Sequence, residues 1–318
     1  MTTSFRVNTL IAPDKRQLRT AVWDVPESVA PRGICLVLQG LTEFLEKYDE
    51  TARELTARGL IVVSLDWRSQ GASERSRSGN RAGHVTSFDE YDADLGAIVI
   101  HGVESIQKDR IALGHAPLPV IALAHSTGAH ILLRYVHEHK RRLAGAVLTA
   151  PMLGLETGKY SPQFTRWVTF ILNLRRPSSR LIFTVEDRDP LHLPFEGNLV
   201  TSDRARFERN REYLKAQPFL RIFGPTFGWL GAAFQSLRRM ERKDFAEEIV
   251  IPLLVVGAGR DRIVTNAATR NFVKRLPNAK YVEIEDSEHE ILMESDAIRA
   301  RFWAEFDAFT APLLSEKA

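Results

Sequence analysis

The 318-residue sequence predicts an α/β fold: a mostly parallel sheet covered on both faces by helices and interrupted by one helical insertion. Three observations predict it. Six short apolar runs are continuous and not alternating, as strands buried on both faces require. Amphipathic helical stretches separate most of these runs, and strand, helix, strand in succession implies parallel pairing. Between about Leu155 and Phe245 the alternation stops, and it resumes at Ile251.

Taken in chain order, Phe5–Ile11 and Arg19–Val25 flank the turn-like Ala12-Pro13-Asp14-Lys15 and predict an antiparallel hairpin at the sheet edge. The buried strands are Ile34–Leu38, Ile61–Leu65, Pro119–Ala124, Ala144–Thr149, Pro252–Gly257 and Lys280–Ile284. Helical patterns cover Tyr48–Arg58, Ser87–Ile106, Thr127–His139, Asn266–Arg275 and Ile291–Leu313. Within the interruption, FTRWVTFILNLRR and TFGWLGAAFQSLRRM read as short helices with no strand between them. The arrangement predicts a core of residues 1–154 and 246–318 and a helical cap of residues 155–245. The cap is expected over the carboxyl ends of the strands, where open α/β sheets place their ligand crevices.

Composition narrows the function classes. With 44% hydrophobic and 26% charged residues the chain is ordinary globular material, and a net charge of +3 with no block of like charges gives no footprint for nucleic acid. The first twenty residues lack the apolar core of a signal peptide, and no segment is apolar enough to span a membrane, so a cytoplasmic protein is expected. The single cysteine, Cys35, lies inside the apolar run ICLVL and reads as a small buried hydrophobe. His84, His125 and His130 match no zinc-ligand spacing, so no metal is expected.

The chemistry concentrates in IALAHSTGAHILLRYV, Ile121 to Val136, where a strand runs directly into a helix at Ser126. A serine on so sharp a turn needs small residues two places before and after it, and Ala124 and Gly128 supply them. The hydroxyl then projects above the sheet, and the Thr127 N–H at the helix start can bind a developing oxyanion. Ser126 could equally be a plain helix cap, and a nucleophilic serine needs a base and a carboxylate to orient it. Asp261 follows the strand IPLLVVGAG, and His289 follows the strand KYVEIE, each in a loop past a strand's carboxyl end. The alternatives are a surface acid paired with Arg260 or Arg262, and a helix-start histidine between Glu288 and Glu290. A second oxyanion donor is expected from Gln39-Gly40-Leu41, a turn whose glycine lets the backbone approach a ligand; the Leu41 N–H is the candidate.

The stretches QGLTEFLEKYDE, SLDWRSQGASER, GHVTSFDEYDADL, LAHSTGAH, TAPMLGL, NLVTSDRARF with PTFGWL, and GAGRDRIV with DSEHEILME occur in an order and spacing that resembles the α/β-hydrolase family. Within it, the chain is most similar to bacterial lysophospholipases related to monoacylglycerol lipases. The resemblance spans about Gly33 to Glu294. It implies Ser126 as nucleophile, Asp261 as acid, His289 as base, and Leu41 and Thr127 as oxyanion donors, with no cofactor. Gln39 stands where relatives commonly carry His, and Ala124 where they commonly carry Gly. The implied activity is cleavage of a monoacyl lipid through an acyl-enzyme. A small-ester esterase, a thioesterase, an acyltransferase or an idle binding protein on the same fold remain open.

Two expectations concern the cap. Its aromatic residues, among them Trp167, Phe170, Phe227 and Trp229, are expected to line an acyl tunnel above Ser126. It is also the basic part of the chain, with sixteen Lys and Arg against ten Asp and Glu. Arg175, Arg176, Arg180, Arg238 and Arg239 are therefore expected to bring it peripherally to an anionic lipid surface, against the alternative of a solvated helix face.

Overall fold

The computed structural model describes residues 5–75, 81–139, 142–156, 168–169, 171, 179–182 and 189–315. Eight strands form one sheet: β1 Arg6–Ile11, β2 Gln17–Trp23, β3 Gly33–Leu38, β4 Leu60–Leu65, β5 Val120–His125, β6 Gly145–Thr149, β7 Leu253–Ala258 and β8 Ala279–Ile284. Their spatial order is β1-β2-β4-β3-β5-β6-β7-β8. β1 and β2 are antiparallel to their neighbours, and every pair from β4 to β8 is parallel. The hairpin turns at Lys15, in left-handed conformation with φ of 69°, where the Ala12 carbonyl accepts from the Lys15 N–H at 2.8 Å.

The continuous apolar runs become strands because both sheet faces are covered. Every residue of β3, β4, β6 and β7 is buried. Helices Asp49–Ala57, Asp89–Ile98, Glu104–Ala112, Ser126–Glu138, Asn266–Val273 and Asp296–Leu314 supply the cover. The helical pattern expected from Ser87 to Ile106 runs on to Ala112, through one π turn at Val99–Val103. Among the described residues, no helix is long and apolar enough to cross a membrane.

Between β6 and β7 the described elements are helices alone: Arg204–Ala216, the 3-10 turn Pro218–Leu220, Phe227–Met240 and Lys243–Glu247. Asp203 caps the first by accepting the Arg206 N–H, and Thr226 caps the third through the Trp229 N–H. Trp167, Phe170, Arg175 and Arg176 lie outside the described residues.

The parallel register is what places the site. Leu38 pairs with Ala124, so two residues further on Gly40 and Ser126 leave the sheet side by side. Ala258 pairs with Ile284, so the loops carrying Asp261 and His289 begin at one level.

Candidate active site

Ser126 closes β5 and opens the helix Ser126–Glu138 with φ of 50°, a left-handed conformation that side-chain-bearing residues rarely adopt. Close packing imposes the turn. A Cβ on Gly128 would stand 2.4 Å from the Gln39 carbonyl oxygen and 2.6 Å from that of Leu38, so only glycine lets the helix start so near β3. Ala124, two residues before the serine, is fully buried.

His289 meets both of its expected partners. Its Nε2 lies 2.9 Å from Ser126 Oγ and its Nδ1 lies 2.6 Å from Asp261 Oδ2. An ionised carboxylate only accepts hydrogen bonds, so the ring proton sits on Nδ1, and Nε2 turns a bare lone pair toward the serine hydroxyl. The other carboxylate oxygen of Asp261 accepts the N–H groups of Ile263 at 2.8 Å and Val264 at 3.0 Å. Burial favours the neutral acid, but the hydrogen bond from His289 and these two backbone N–H groups outweigh it and hold the Asp261 carboxyl below its ordinary value. The carboxylate is thus ionised and fixed in rotation.

The two expected oxyanion donors flank this pair. Thr127 is the second residue of its helix, so its N–H has no acceptor within the helix. In the turn after β3, the Gly40 N–H bonds Glu43 and the Thr42 N–H bonds Gln70. Among the described residues the Leu41 N–H between them takes no acceptor, and both Leu41 and Thr127 line the cavity over Ser126.

Sequence reasoning did not find the buried charge cluster behind that turn. Lys47 Nζ lies 2.7 Å from Glu43 Oε1 and 2.6 Å from Glu290 Oε1, and Tyr48 donates to Glu43 at 2.8 Å. Burial raises the Glu43 carboxyl, but the Lys47 charge more than reverses this and keeps it ionised. The signal was thin: Lys47 and Glu290 are 243 residues apart.

The three histidines set aside as metal ligands do not converge. His84 pairs with Thr226 at 2.7 Å, His125 with Thr149 at 3.2 Å, and His130 with the Met152 carbonyl at 2.8 Å and with Ser236 Oγ at 2.7 Å. Arg68 anchors its loop, bonding the buried Asp94 and also Asp14 and Glu90.

Burial holds His125 neutral down to about 4 and His130 down to about 3, against an ordinary value of 6.5. From pH 6.5 down to about 4 the unfolded chain takes up protons that the folded chain refuses. Stability therefore falls with pH across that window, by about 1.4 kcal/mol per unit for each histidine. Urea unfolding near pH 7 and near pH 5 should show a smaller acid loss in His125→Gln and in His130→Gln than in wild type. Equal losses in all three would refute this assignment.

The cavity above Ser126 holds about 530 Å³. Leu155, Ile182, Ile222, Phe223, Trp229 and Phe234 contribute its apolar wall, and Glu43, Glu156 and Glu290 are its charged members among the described residues. Phe227 is absent from that wall. It is the first residue of its helix, about 10 Å along the axis from Phe234, which lies on the same face and does join the wall. Of the basic residues expected at a lipid surface, Arg239 is paired with Glu138, whereas Arg180 and Arg238 are exposed. Trp229, expected in the tunnel wall, is buried, with 3% of its surface exposed.

Comparison with known proteins places the chain. Residues 29–296 match the family model described as serine aminopeptidase, S33. The chain is 27% identical over 274 residues to a probable lysophospholipase L2 of Haemophilus influenzae, covering 86% of this chain and 82% of that one. It is 26% identical over 246 residues to a monoacylglycerol lipase of Mycolicibacterium smegmatis, covering 77% and 76%. A soluble variant of the Saccharomyces cerevisiae monoglyceride lipase, solved with a substrate analog, superposes with a TM-score of 0.76 at 19% identity over 99% of this chain and 97% of that one, a likeness of fold. The chain therefore belongs to the serine aminopeptidase S33 family and is an α/β-hydrolase-fold serine hydrolase, related to the carboxylic ester hydrolases named lysophospholipase and monoacylglycerol lipase.

Proposed function

We propose that the protein hydrolyses carboxylic esters of monoacyl lipids, monoacylglycerol or lysophospholipid, through an acyl-enzyme on Ser126. The observation that carries the reading is the chain of contacts from Asp261 through His289 to Ser126 at the floor of an apolar cavity. In the proposed reaction His289 Nε2 takes the Ser126 proton as Oγ attacks the ester carbonyl. The oxyanion is received by the Leu41 and Thr127 N–H groups, and Asp261 stabilises the imidazolium. The tetrahedral intermediate collapses, the alcohol leaves with the proton from Nε2, and a water deprotonated by the same nitrogen releases the fatty acid. In this reading residues 155–245 form the cap that bounds the acyl tunnel, with Trp229 on its wall and Trp167 and Phe170 as further candidates.

The apolar wall supports a preference for long single chains. Each buried methylene contributes about 0.8 kcal/mol, so eight more carbons favour the longer ester by several kcal/mol, part of it in kcat/KM. Below micelle-forming concentrations, kcat/KM is expected to rise from acetyl to dodecanoyl esters, with diacyl phospholipids and amides cleaved poorly. A steady fall along that series would remove the lipid assignment and leave a small-ester esterase.

A further inference from the structure

We propose that Glu294 is the positioning residue for the base, fixing His289 between Asp261 and Ser126 through the backbone that carries it. The inference rests on the reading of Ser126 and His289 as the hydrolytic pair. Glu294 is fully buried, and no cation pairs with its carboxylate among the described residues. Its Oε1 accepts the N–H of Glu288, the residue immediately before the base, at 2.8 Å. The same carboxylate accepts the Ser202 N–H at 3.2 Å and the Ser202 hydroxyl. A buried carboxylate satisfied by oriented dipoles alone is costly to keep, and it sets direction where an apolar side chain would only fill space.

The far side of the base is moored as well. The N–H of Glu290 donates to the Val200 carbonyl at 2.8 Å, and its side chain is held by Lys47 at 2.6 Å. Thr201 adds a bond from its hydroxyl to the Met293 carbonyl at 2.7 Å. The partner segment is itself preformed, because Asn198 Oδ1 accepts the N–H groups of Val200 at 2.9 Å and Thr201 at 3.0 Å. Both peptide neighbours of His289 are thus held, and the Glu294 carboxylate bonds the residue before the base and Ser202 of the segment Asn198–Asp203 at once.

The chemistry separates the two halves of that junction. In Glu294→Gln the remaining oxygen can keep the Glu288 N–H, and the Ser202 hydroxyl can turn to accept from the new amide. In Glu294→Ala both are lost, and a displacement of the base by about 1 Å costs on the order of 100-fold. Ser202→Ala removes one donor on the cap side and leaves the Glu288 bond in place.

The test measures kcat and KM on a monoacyl ester, together with the low-field proton resonance of the His289–Asp261 bond, in all three folded variants. Glu294→Ala is expected to lose kcat by about 100-fold at unchanged KM and to lose the resonance. Glu294→Gln and Ser202→Ala should stay within about 10-fold of wild type and keep it. Wild-type kcat in folded Glu294→Ala, or a loss in Ser202→Ala as large as in Glu294→Ala, overturns the proposal. Should Glu294→Ala not fold, Glu294→Asp, one methylene short of the Glu288 N–H, is expected to show the same loss, and a normal resonance there overturns it equally. Because the resonance reports geometry without substrate, a wild-type protein that shows it yet cleaves no ester refutes the hydrolytic reading and leaves this one to be decided by the resonance.

Discussion

Ser126→Ala is expected to remove ester hydrolysis, with kcat falling by about 10⁶-fold while the fold and melting temperature stay as in wild type. The side chain lost is one hydroxyl, and its recorded partner is His289 Nε2. His289→Ala should fall to a similar level, because a nucleophile without its base and a base without its nucleophile are equally idle. Asp261→Asn is the more informative change. Ile263 and Val264 donate to Oδ1, so the amide must keep its oxygen there and turn its NH2 group toward His289 Nδ1. The imidazole then shifts its proton to Nε2 and presents a donor to Ser126, and a loss of about 10⁴-fold follows with the geometry intact. The check is turnover of a monoacyl ester beside fluorophosphonate labelling and circular dichroism. Folded Ser126→Ala protein that hydrolyses at near wild-type rate would end this mechanism.

Lys47→Met should be among the most destabilising single changes in the molecule. It removes the ammonium between Glu43 and Glu290, whose side chains are only 4% and 11% exposed, and leaves two carboxylates facing each other in a buried space. Breaking such a cluster from one side costs about 3–5 kcal/mol, more than the net stability the intact cluster contributes. The loss should shrink at lower pH, where the stranded carboxylates take up a proton. Glu290→Gln in the Lys47→Met background should recover part of it. Urea unfolding of the three proteins near pH 8 and near pH 5 measures both effects. A Lys47→Met protein as stable as wild type at the higher pH would mean that the cluster is hydrated and not buried.

Much of the sheet was legible because its signal is local. A fully covered strand must be apolar at every position, so Ile34–Leu38 and Pro252–Gly257 identify β3 and β7 to within a residue or so. Gly33 and His125 fall outside the expected bounds because neither side chain carries an apolar signal, although their backbones pair with the sheet. Ser126, Asp261 and His289 stood out by position relative to strands, and the parallel register brings them into contact. What stayed hidden depends on which face of a helix turns inward and on contacts between distant segments. Nothing in TFGWLGAAF marks Trp229 as wall and Phe227 as not. Glu43, Lys47 and Glu294 read as ordinary surface charges until Glu290, Ser202 and Glu288 are set beside them.

The order of the strands along the chain also sets a timetable. Ser126 follows β5 and His289 follows β8, the final strand and one edge of the sheet. His289 lies 163 residues further along the chain than Ser126, so a growing chain carries the serine long before the imidazole that faces it in the finished fold. Only when β8 pairs with β7 and the helix Asp296–Leu314 packs behind them does His289 arrive. The contact between His289 and Ser126 is thus among the last that the growing chain can make.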